Sequence, residues 1–398
     1  MDKADGQMFM QSLLLLGGER RLLHEFLGRF ESELAARTLS LPDPNLPHEE
    51  YSRSLNRLLM APAGLPKALW EALTDVEEMA HAEGRERLQD AISAEENGLG
   101  RFREDSSDLD FAIQAWLRYP QVFKQKKAEV QMSRLSAFEY FRAPAPAKHP
   151  SCRMPPDKAT LNRLTHSVDA WYAQHLKGVG TTHIDVYPKN DEYLFVIHHG
   201  DGCMRVPATG QPQRHVAHFR PERDDVVVYS PEFNELRINA RTKGETRLYR
   251  QAIGMHLFGD ALYFSEENTY TLEPLRELRE RVLDVSGLTG VDRIVLKEFH
   301  VQTGDTDAPA RKFLADDLFA YSGITSMADD LFPDGCMICL AVFDFHFTGG
   351  QKPCSVHVCP PNKLKLPRRC NHQTVRRWLS LYGIMRIHGL GDKKGVQA

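Results

Sequence analysis

The sequence predicts an α+β fold, with an N-terminal helical domain followed by an antiparallel β-rich module and a small mixed α/β module. Residues 8–142 carry apolar side chains at helical spacing. Beyond residue 176, short segments rich in β-branched and aromatic residues alternate with Gly, Pro, Asn and Asp, as is typical of antiparallel strands. Helices and strands that are segregated along the chain favour α+β over alternating α/β architecture.

The helical region is predicted to end at a proline-rich spacer. Within residues 65–92, apolar side chains form one buried stripe at helical spacing, at Leu69, Leu73, Val76, Met79 and Ala80. The prolines between residues 143 and 156 disfavour both a helix and a central strand. We therefore expect four segments: an acidic helical domain at 1–142, a Pro-rich linker at 143–156, a β-rich α+β domain at 157–285 and a basic α/β module at 286–398.

The elements of the two later segments follow from local pattern. The β-rich domain is predicted to have helices at Lys158–Leu176 and Glu245–Phe258 and strands at His183–Tyr187, Glu192–His199, Arg214–Phe219, Val226–Tyr229 and Glu235–Arg241. The last module is predicted to have a strand at Arg293–Val301, a helix at Ala310–Tyr321, a hairpin of Met337–Phe347 with Cys354–Val358, and a helix at His372–Tyr382 that Asn371 caps.

Composition bounds the class of protein. The 398 residues are 42% hydrophobic and 26% charged, which is ordinary for a globular chain. The longest apolar run, Leu13–Leu16, is far too short to span a bilayer, and the acidic Asp2 and Asp5 do not fit a signal peptide. Seven cysteines, an odd number, favour a reducing compartment over a disulfide framework. We expect a bacterial-type cytoplasmic protein.

Charge is distributed unevenly along the chain. Residues 1–110 contain 22 Asp and Glu against 12 Lys and Arg, a balance of −10. Residues 340–398 contain 10 Lys and Arg against 2 Asp, a balance of +8. A basic end indicates an anionic partner. The surplus of carboxylates at the other end predicts that residues 1–142 dock a protein, with a solvated acidic face as the alternative.

The last predicted helix is the leading candidate for contact with nucleic acid. Its buried stripe of Val375, Trp378, Leu379 and Tyr382 predicts that polar and basic residues point outward, as in helices that lie along phosphate backbones. A basic strand and the residues after it add a second patch. The predicted nucleic-acid-binding residues are Lys363, Lys365, Arg368, Arg369, Gln373, Arg376, Arg377, Arg237, Arg241 and Lys243. A solvated basic surface is the alternative interpretation.

Cysteine and histidine residues cluster near the C-terminus, at Cys336, Cys339, His346, Cys354, His357, Cys359, Cys370 and His372. Cys336 and Cys339 have the spacing of a zinc site. Met337–Phe347 alternates as a strand, however, so residues three apart point to opposite faces. We expect buried strand cysteines and no metal, with a zinc site as the alternative.

A second candidate group combines imidazoles with a carboxylate. His183 and Asp185 share one strand face, and a hairpin turning near Pro188–Asp191 would bring His198 and His199 alongside. Such a group can bind a metal or transfer protons. A polar solvent-facing side of an antiparallel sheet is the alternative.

Recognised motifs for nucleophiles, phosphate loops and zinc proteases are absent from the sequence. The sequence therefore favours a non-enzymatic nucleic-acid-binding or adaptor component of a larger bacterial assembly, with no cofactor and no membrane association. Two alternatives stay open: a metal-dependent hydrolase or nuclease built on the His and carboxylate residues of the middle domain, and a pure scaffold protein.

Overall fold

The structure, a computed structural model, describes residues 17–60, 64–94, 102, 106–143, 154–189, 191–209, 214–265, 269–303, 311–320, 335–350, 352–367 and 370–386. The chain divides into two compact units. One is drawn from residues 1–132 and 205–217, and the other from residues 133–204 and 218–398.

The first unit is helical, as predicted for the N-terminal part of the chain. Its helices are α1 (Arg20–Gly28), α2 (Glu31–Ala35), α3 (His48–Leu59), α4 (Lys67–Met79), α5 (Ala82–Ser93), α6 (Asp108–Arg118) and α7 (Pro120–Arg134). The predicted stripe on α4 is confirmed at Leu69, Leu73, Val76 and Met79, which are buried in one core with α1 and α6, whereas Ala80, at the end of the helix, is only half-buried. Ser107 caps α6 by accepting a hydrogen bond from the Asp110 backbone N–H.

The second unit combines strands and helices, which makes the whole chain α+β as predicted. Its strands are β1 (Ala137–Arg142), β2 (His183–Lys189), β3 (Glu192–Gly200), β6 (Glu222–Ser230), β7 (Glu235–Asn239), β8 (Val291–Thr303), β9 (Arg311–Leu314), β10 (Cys336–Phe347), β11 (Cys354–Cys359) and β12 (Lys363–Lys365). Two further strands, β4 (Met204–Thr209) and β5 (Arg214–Phe219), fall mostly within residues 205–217 of the first unit. The helices of the second unit are α8 (Lys158–Gln174), α9 (Lys243–Phe258), α10 (Glu273–Leu278), a 3₁₀ turn at Arg279–Leu283, and α11 (His372–Leu381).

Among the described residues, ten strands form one sheet in the order β2-β3-β6-β7-β1-β12-β11-β10-β8-β9, and β4 and β5 form a separate two-stranded sheet. The prediction of helix up to residue 142 is wrong for β1. This strand pairs antiparallel with β7 on one side and with β12 on the other. The segments expected at 157–285 and 286–398 therefore share a sheet, and the boundary between compact units lies at 132/133, not at 142.

The sheet buries a separate core on each face. Tyr140 and Phe141 are neighbours on β1 and so point to opposite faces. Phe141 belongs to the core under α8 and α9, whereas Tyr140 belongs to the core under α10 and α11, where Trp378 is fully buried. One half of each sheet face is thus covered by helices of this unit.

The two halves of the sheet repeat one order of elements. Outward from β1, one half has β7, β6, β3 and β2, and the other has β12, β11, β10 and β8. In each half a helix precedes the strands and another follows them, and both pack on that half's own core. Since β7 and β12 are both antiparallel to β1, the halves are related in topology by a two-fold rotation about β1.

Most predicted elements of this unit are confirmed, with a second clear error besides β1. The helix expected at Ala310–Tyr321 is wrong over Arg311–Leu314, which forms β9 against β8. The Phe313 ring stacks on Phe299 across this pair, 4.8 Å between centroids, so a long-range contact overrides local spacing. The ends of that predicted helix and residues 144–153 of the predicted linker lie outside the described residues.

Among the parts of the chain that the structure describes, no helix combines the length and the apolar character needed to cross a membrane.

Candidate metal and phosphate site

The imidazole and carboxylate residues predicted to meet do so at one end of β2, β3 and β6. The predicted hairpin is confirmed, with His183 opposite His198 across the β2–β3 pair. On the other side of β3, His198 lies opposite Asp224 of β6. Opposed residues in antiparallel strands share a face, so these side chains converge.

We call His183, Asp185, His198, Glu222 and Asp224 the surface cluster. The His198 imidazole lies at its centre. Its Nδ1 is 2.6 Å from Asp224 Oδ1 and 3.7 Å from Glu222 Oε1, and its Nε2 is 3.6 Å from Asp185 Oδ2. Asp185 Oδ1 is in turn 3.1 Å from His183 Nε2.

The carboxylates of the surface cluster control the protonation of His198. Burial lowers the pKa of His198, but Asp185 and Asp224 outweigh that effect and raise it to about 9. The interaction with His198, and the nearby His183, hold the pKa of Asp185 below its usual value against the effect of burial. Three carboxylates then surround one imidazole, and this excess of negative charge favours a divalent cation, whose binding to Nδ1 would release the imidazolium proton.

The surface cluster also has the donor set of a metal site. The donor atoms of His198, Glu222 and Asp224 all lie within 4.8 Å of one another. With Nδ1 directed at these two carboxylates, Nε2 is left to donate to Asp185, the arrangement that orients metal-binding histidines. One imidazole and two carboxylates suit first-row divalent ions such as Mn²⁺ or Zn²⁺.

The raised pKa of His198 predicts a pH dependence of stability in metal-free protein. Stability from the imidazolium is fully present below its unfolded pKa of 6.5 and is lost as pH rises through about 9. In EDTA, we expect the difference in free energy of unfolding between the parent and His198→Gln to shrink over this range. Urea unfolding at several pH values measures it, and a difference that grows toward alkaline pH would contradict the assignment.

His199, predicted with the same group, points to the opposite face, where it is 1% exposed. Its Nδ1 hydrogen-bonds to the Gly200 carbonyl at 3.0 Å. Its Nε2 lies 3.3 Å from Asp225 Oδ2, but the two groups are not aligned for a hydrogen bond in the described structure. The Tyr249 hydroxyl donates to the same carboxylate at 2.8 Å, and the Tyr172 ring stacks on the imidazole.

This buried group is balanced in charge. Burial lowers the pKa of His199, but Asp225, Gly200 and Glu245 outweigh it and raise the pKa above its usual value. The imidazolium then faces Asp225, while Lys177 pairs with Glu245. Two cations meet two carboxylates, so we assign the group a structural role in joining β3 and β6 to α9.

The predicted nucleic-acid-binding residues do not form one surface. Lys363 and Lys365 are exposed on β12, and Leu364 between them is buried in the core beneath α11. Their side chains therefore lie on the sheet face opposite α11, which carries Gln373 and Arg377 in exposed positions. Arg368 and Arg369 lie outside the described residues.

Three of the predicted arginines are engaged in ion pairs: Arg241 with Asp201, and two that are held by buried or half-buried carboxylates. Arg376, expected to point outward, binds the fully buried Glu235 at 3.1 Å and lies over the Phe233 ring. Arg237 pairs with Glu192. Helical and strand periodicity predicted exposure at these positions, but carboxylates from distant strands hold both guanidinium groups in place.

The C-terminal cysteines occupy strand and core positions. Cys336 is buried in the core, and Cys339 is half-buried with its thiol directed at the His300 carbonyl. Cys354 of β11 and Cys370, just before α11, form a disulfide with a Cα–Cα distance of 5.8 Å. The sequence-based expectation of free cysteines is wrong for this pair, because the two meet only once α11 packs on the sheet.

Sequence patterns did not identify Glu222 as a partner of His198. They also did not single out Arg220 and Arg223, which lie close to Glu222 in the chain. The hairpin β4–β5 separates β3 from β6 in the chain, so no local spacing relates Glu222 to His198.

Comparison of the chain with models of protein families and with curated proteins gives no match in either case.

Proposed function

We propose that this protein is a metal-dependent hydrolase that acts at the surface cluster. The single observation that carries the proposal is the convergence of His198, Glu222 and Asp224, whose donor atoms lie within 4.8 Å of one another. The proposal favours the hydrolase hypothesis over the adaptor hypothesis, because the residues of the former converge and those of the latter are dispersed over two sheet faces.

The surface cluster offers the parts of an open metal site. Three protein donors leave coordination positions for water and substrate, and a bound divalent ion would lower the pKa of that water. Asp185 would hold the His198 ring through Nε2. His183, paired with Asp185 and 70% exposed, is placed to accept a proton from the attacking water.

Titration calorimetry with Mn²⁺ in metal-free buffer tests the site. We expect one ion bound per chain, and a fall in affinity of about 10–100-fold or more in His198→Ala and in Asp224→Asn. His300→Ala is the matched control, because His300 also pairs with a strand carboxylate, Glu298 at 2.7 Å. Equal Mn²⁺ affinity in all four proteins would refute the proposal.

The same variants test catalysis. With Mn²⁺ present, the parent should hydrolyse bis(p-nitrophenyl) phosphate, and Asp224→Asn should slow the reaction by at least about 100-fold, as expected when a metal-activated water is lost. Hydrolysis that is unchanged by EDTA would argue against a metal mechanism.

A protein partner for residues 1–142 remains a prediction. It is supported by exposed acidic side chains on the helical unit, at Glu25, Glu31, Glu49 and Glu50.

A further inference from the structure

Three arginines gather around Asp201, where β3 ends and β6 begins. The Asp201 carboxylate accepts a hydrogen bond from Arg223 and one of 3.0 Å from Arg241. Arg220 Nη1 donates to the Asp201 backbone carbonyl at 2.6 Å and to the Leu176 carbonyl at 2.9 Å. The group draws on the loop before β2, the β3–β6 connection and the end of β7.

The neighbouring backbone has room for the Arg220 side chain because two residues beside it are glycines. A Cβ at residue 200 would lie 2.6 Å from Arg220 Cδ and 2.5 Å from the Lys177 carbonyl, so only glycine fits there. Gly178 has a φ of +126°, and a Cβ at that position would lie 3.2 Å from the same Cδ. Two glycines thus make room for the Arg220 stem and hold its guanidinium group at the surface.

Positive charge at this corner exceeds what the neighbouring carboxylate can neutralise. Arg220, Arg223 and Arg241 surround the single carboxylate of Asp201, and the exposed Lys243 lies two residues after Arg241. Among the described residues, Arg220 and Lys243 have no carboxylate partner. The three arginines exceed the Asp201 carboxylate by two positive charges, and Lys243 adds one more close by in the chain.

The cationic corner, which consists of Arg220, Arg223, Arg241 and Lys243, is open to solvent and lies at the same end of the sheet as the surface cluster, with Arg223 on the opposite face of β6. The side chains of Arg223 and Arg241 are 46% and 61% exposed. Arg223 lies between Glu222 and Asp224 in β6 and points to the other face of that strand, as strand alternation requires. Positive and negative patches therefore meet across the thickness of β6 at this end of the sheet.

We propose that Arg220, Arg223, Arg241 and Lys243 bind the phosphodiester backbone of a nucleic-acid strand, which makes nucleic acid the substrate class of the proposed hydrolase. The spread of cations over an open surface suits successive phosphates of a polyanion, which arginine forks and lysines contact without reading bases. The substrate role rests on the proposed function; the phosphate contacts do not.

The hydrolytic step balances with water as the only co-reactant. The oxygen of water bonds to phosphorus while the P–O bond to the leaving oxygen breaks. One water proton passes to His183 and on to the leaving oxygen, and the other stays on the phosphate or is released to solvent.

Binding of a fluorescein-labelled single-stranded oligonucleotide, followed by anisotropy in EDTA, tests the phosphate contacts. We expect Arg241→Gln/Lys243→Gln to lower affinity at least about tenfold. The slope of log K against log salt should fall by about 1.4, since each lost contact on a single strand contributes about 0.7. Arg220→Gln should lower affinity in the same way.

Lys363→Gln/Lys365→Gln is the matched control, because it removes two exposed cations from another part of the same sheet, and its affinity should equal that of the parent. Thermal unfolding establishes that each variant is folded. Unchanged binding in the folded Arg241→Gln/Lys243→Gln protein would overturn the proposal.

Two further measurements distinguish a nucleic-acid site from a site for a small phosphate ligand, and the phosphate contacts from the proposed hydrolase. Inorganic phosphate should displace the oligonucleotide no better than sodium chloride of equal ionic strength, and stronger displacement would overturn the nucleic-acid assignment in favour of a small phosphate ligand. Asp224→Asn should bind the oligonucleotide normally in EDTA. That result, found together with no Mn²⁺ binding in the parent, would remove the proposed hydrolase and leave the phosphate site standing.

Discussion

Replacing Tyr140 with proline is expected to abolish cooperative folding of the sheet-containing unit. Tyr140 lies on β1, the strand that joins the two halves of the ten-stranded sheet. Its backbone N–H donates to the Asn362 carbonyl at 2.9 Å, and its ring, 4% exposed, packs edge-on against Tyr270. Proline removes both the donor and the ring in the one strand on which both halves depend.

The expected loss is large compared with total stability. Proline in a central strand removes a ladder hydrogen bond and restricts φ, and truncation of a buried aromatic ring costs about 3–5 kcal/mol. Together these effects approach the roughly 5–15 kcal/mol by which a typical domain is stable. Circular dichroism during thermal unfolding measures the outcome.

Tyr140→Phe is the control for this experiment. It keeps the N–H and the ring and removes only a hydroxyl, and burial raises the pKa of Tyr140 to about 12, so no charge is lost. We expect its unfolding transition to stay close to that of the parent. A cooperative transition of near-parental midpoint in Tyr140→Pro would mean that β1 is dispensable to the sheet.

Glu235→Ala is expected to destabilise the sheet unit by about 3–5 kcal/mol, the range for breaking a buried ion pair from one side. The Glu235 side chain is fully buried and binds Arg142 at 2.7 Å and Arg376 at 3.1 Å. The two arginines are only 11% and 16% exposed, so the substitution leaves two poorly hydrated charges without a carboxylate between them.

Urea unfolding measures this change, with Glu232→Ala as the matched control. Glu232 lies three residues earlier and is exposed, so its removal should change the free energy of unfolding by no more than about 0.5 kcal/mol. A loss below about 1 kcal/mol in Glu235→Ala would show that Arg142 and Arg376 find adequate partners elsewhere.

The ion pairs of Glu235 with Arg142 and Arg376 affect how a substitution that reverses charge on α11 would be interpreted. Substitution of Arg376 breaks a link to Glu235, so weaker nucleic-acid binding in such a variant would report lost structure. Arg377, which is exposed on the same helix, tests a phosphate contact without that complication.

Elements that depend on local pattern were predictable. Asn371 caps α11 by accepting from the Thr374 N–H, and of the predicted stripe Val375, Trp378 and Leu379 are buried while Tyr382 is half-buried. The β2–β3 hairpin, which brings His183 opposite His198, was also predictable, because a short turn sets its register. In both cases the residues that interact lie within one helix or one hairpin.

Elements that depend on distant partners were not predictable. Phe138, Tyr140 and Arg142 alternate along β1, but this pattern indicates a strand only when its partners are known. Those partners, β7 and β12, lie about 100 and 220 residues further along the chain and pair with β1 on either side. β9 likewise exists through its pairing with β8. The sequence of one strand does not reveal which strands it pairs with, because its backbone N–H and C=O groups are the same as those of every other strand.

By itself the sequence determined the α+β class, the helical N-terminal part, most strands of the sheet and half of the surface cluster, because apolar periodicity reports which face of a segment is buried. Only the tertiary structure decided that Glu222 and Asp224 complete the cluster around His198, that Arg220, Arg223 and Arg241 share Asp201, and that Arg376 is tied to Glu235. Those contacts join residues from separate strands, and their energies arise from distances that form only when the sheet assembles.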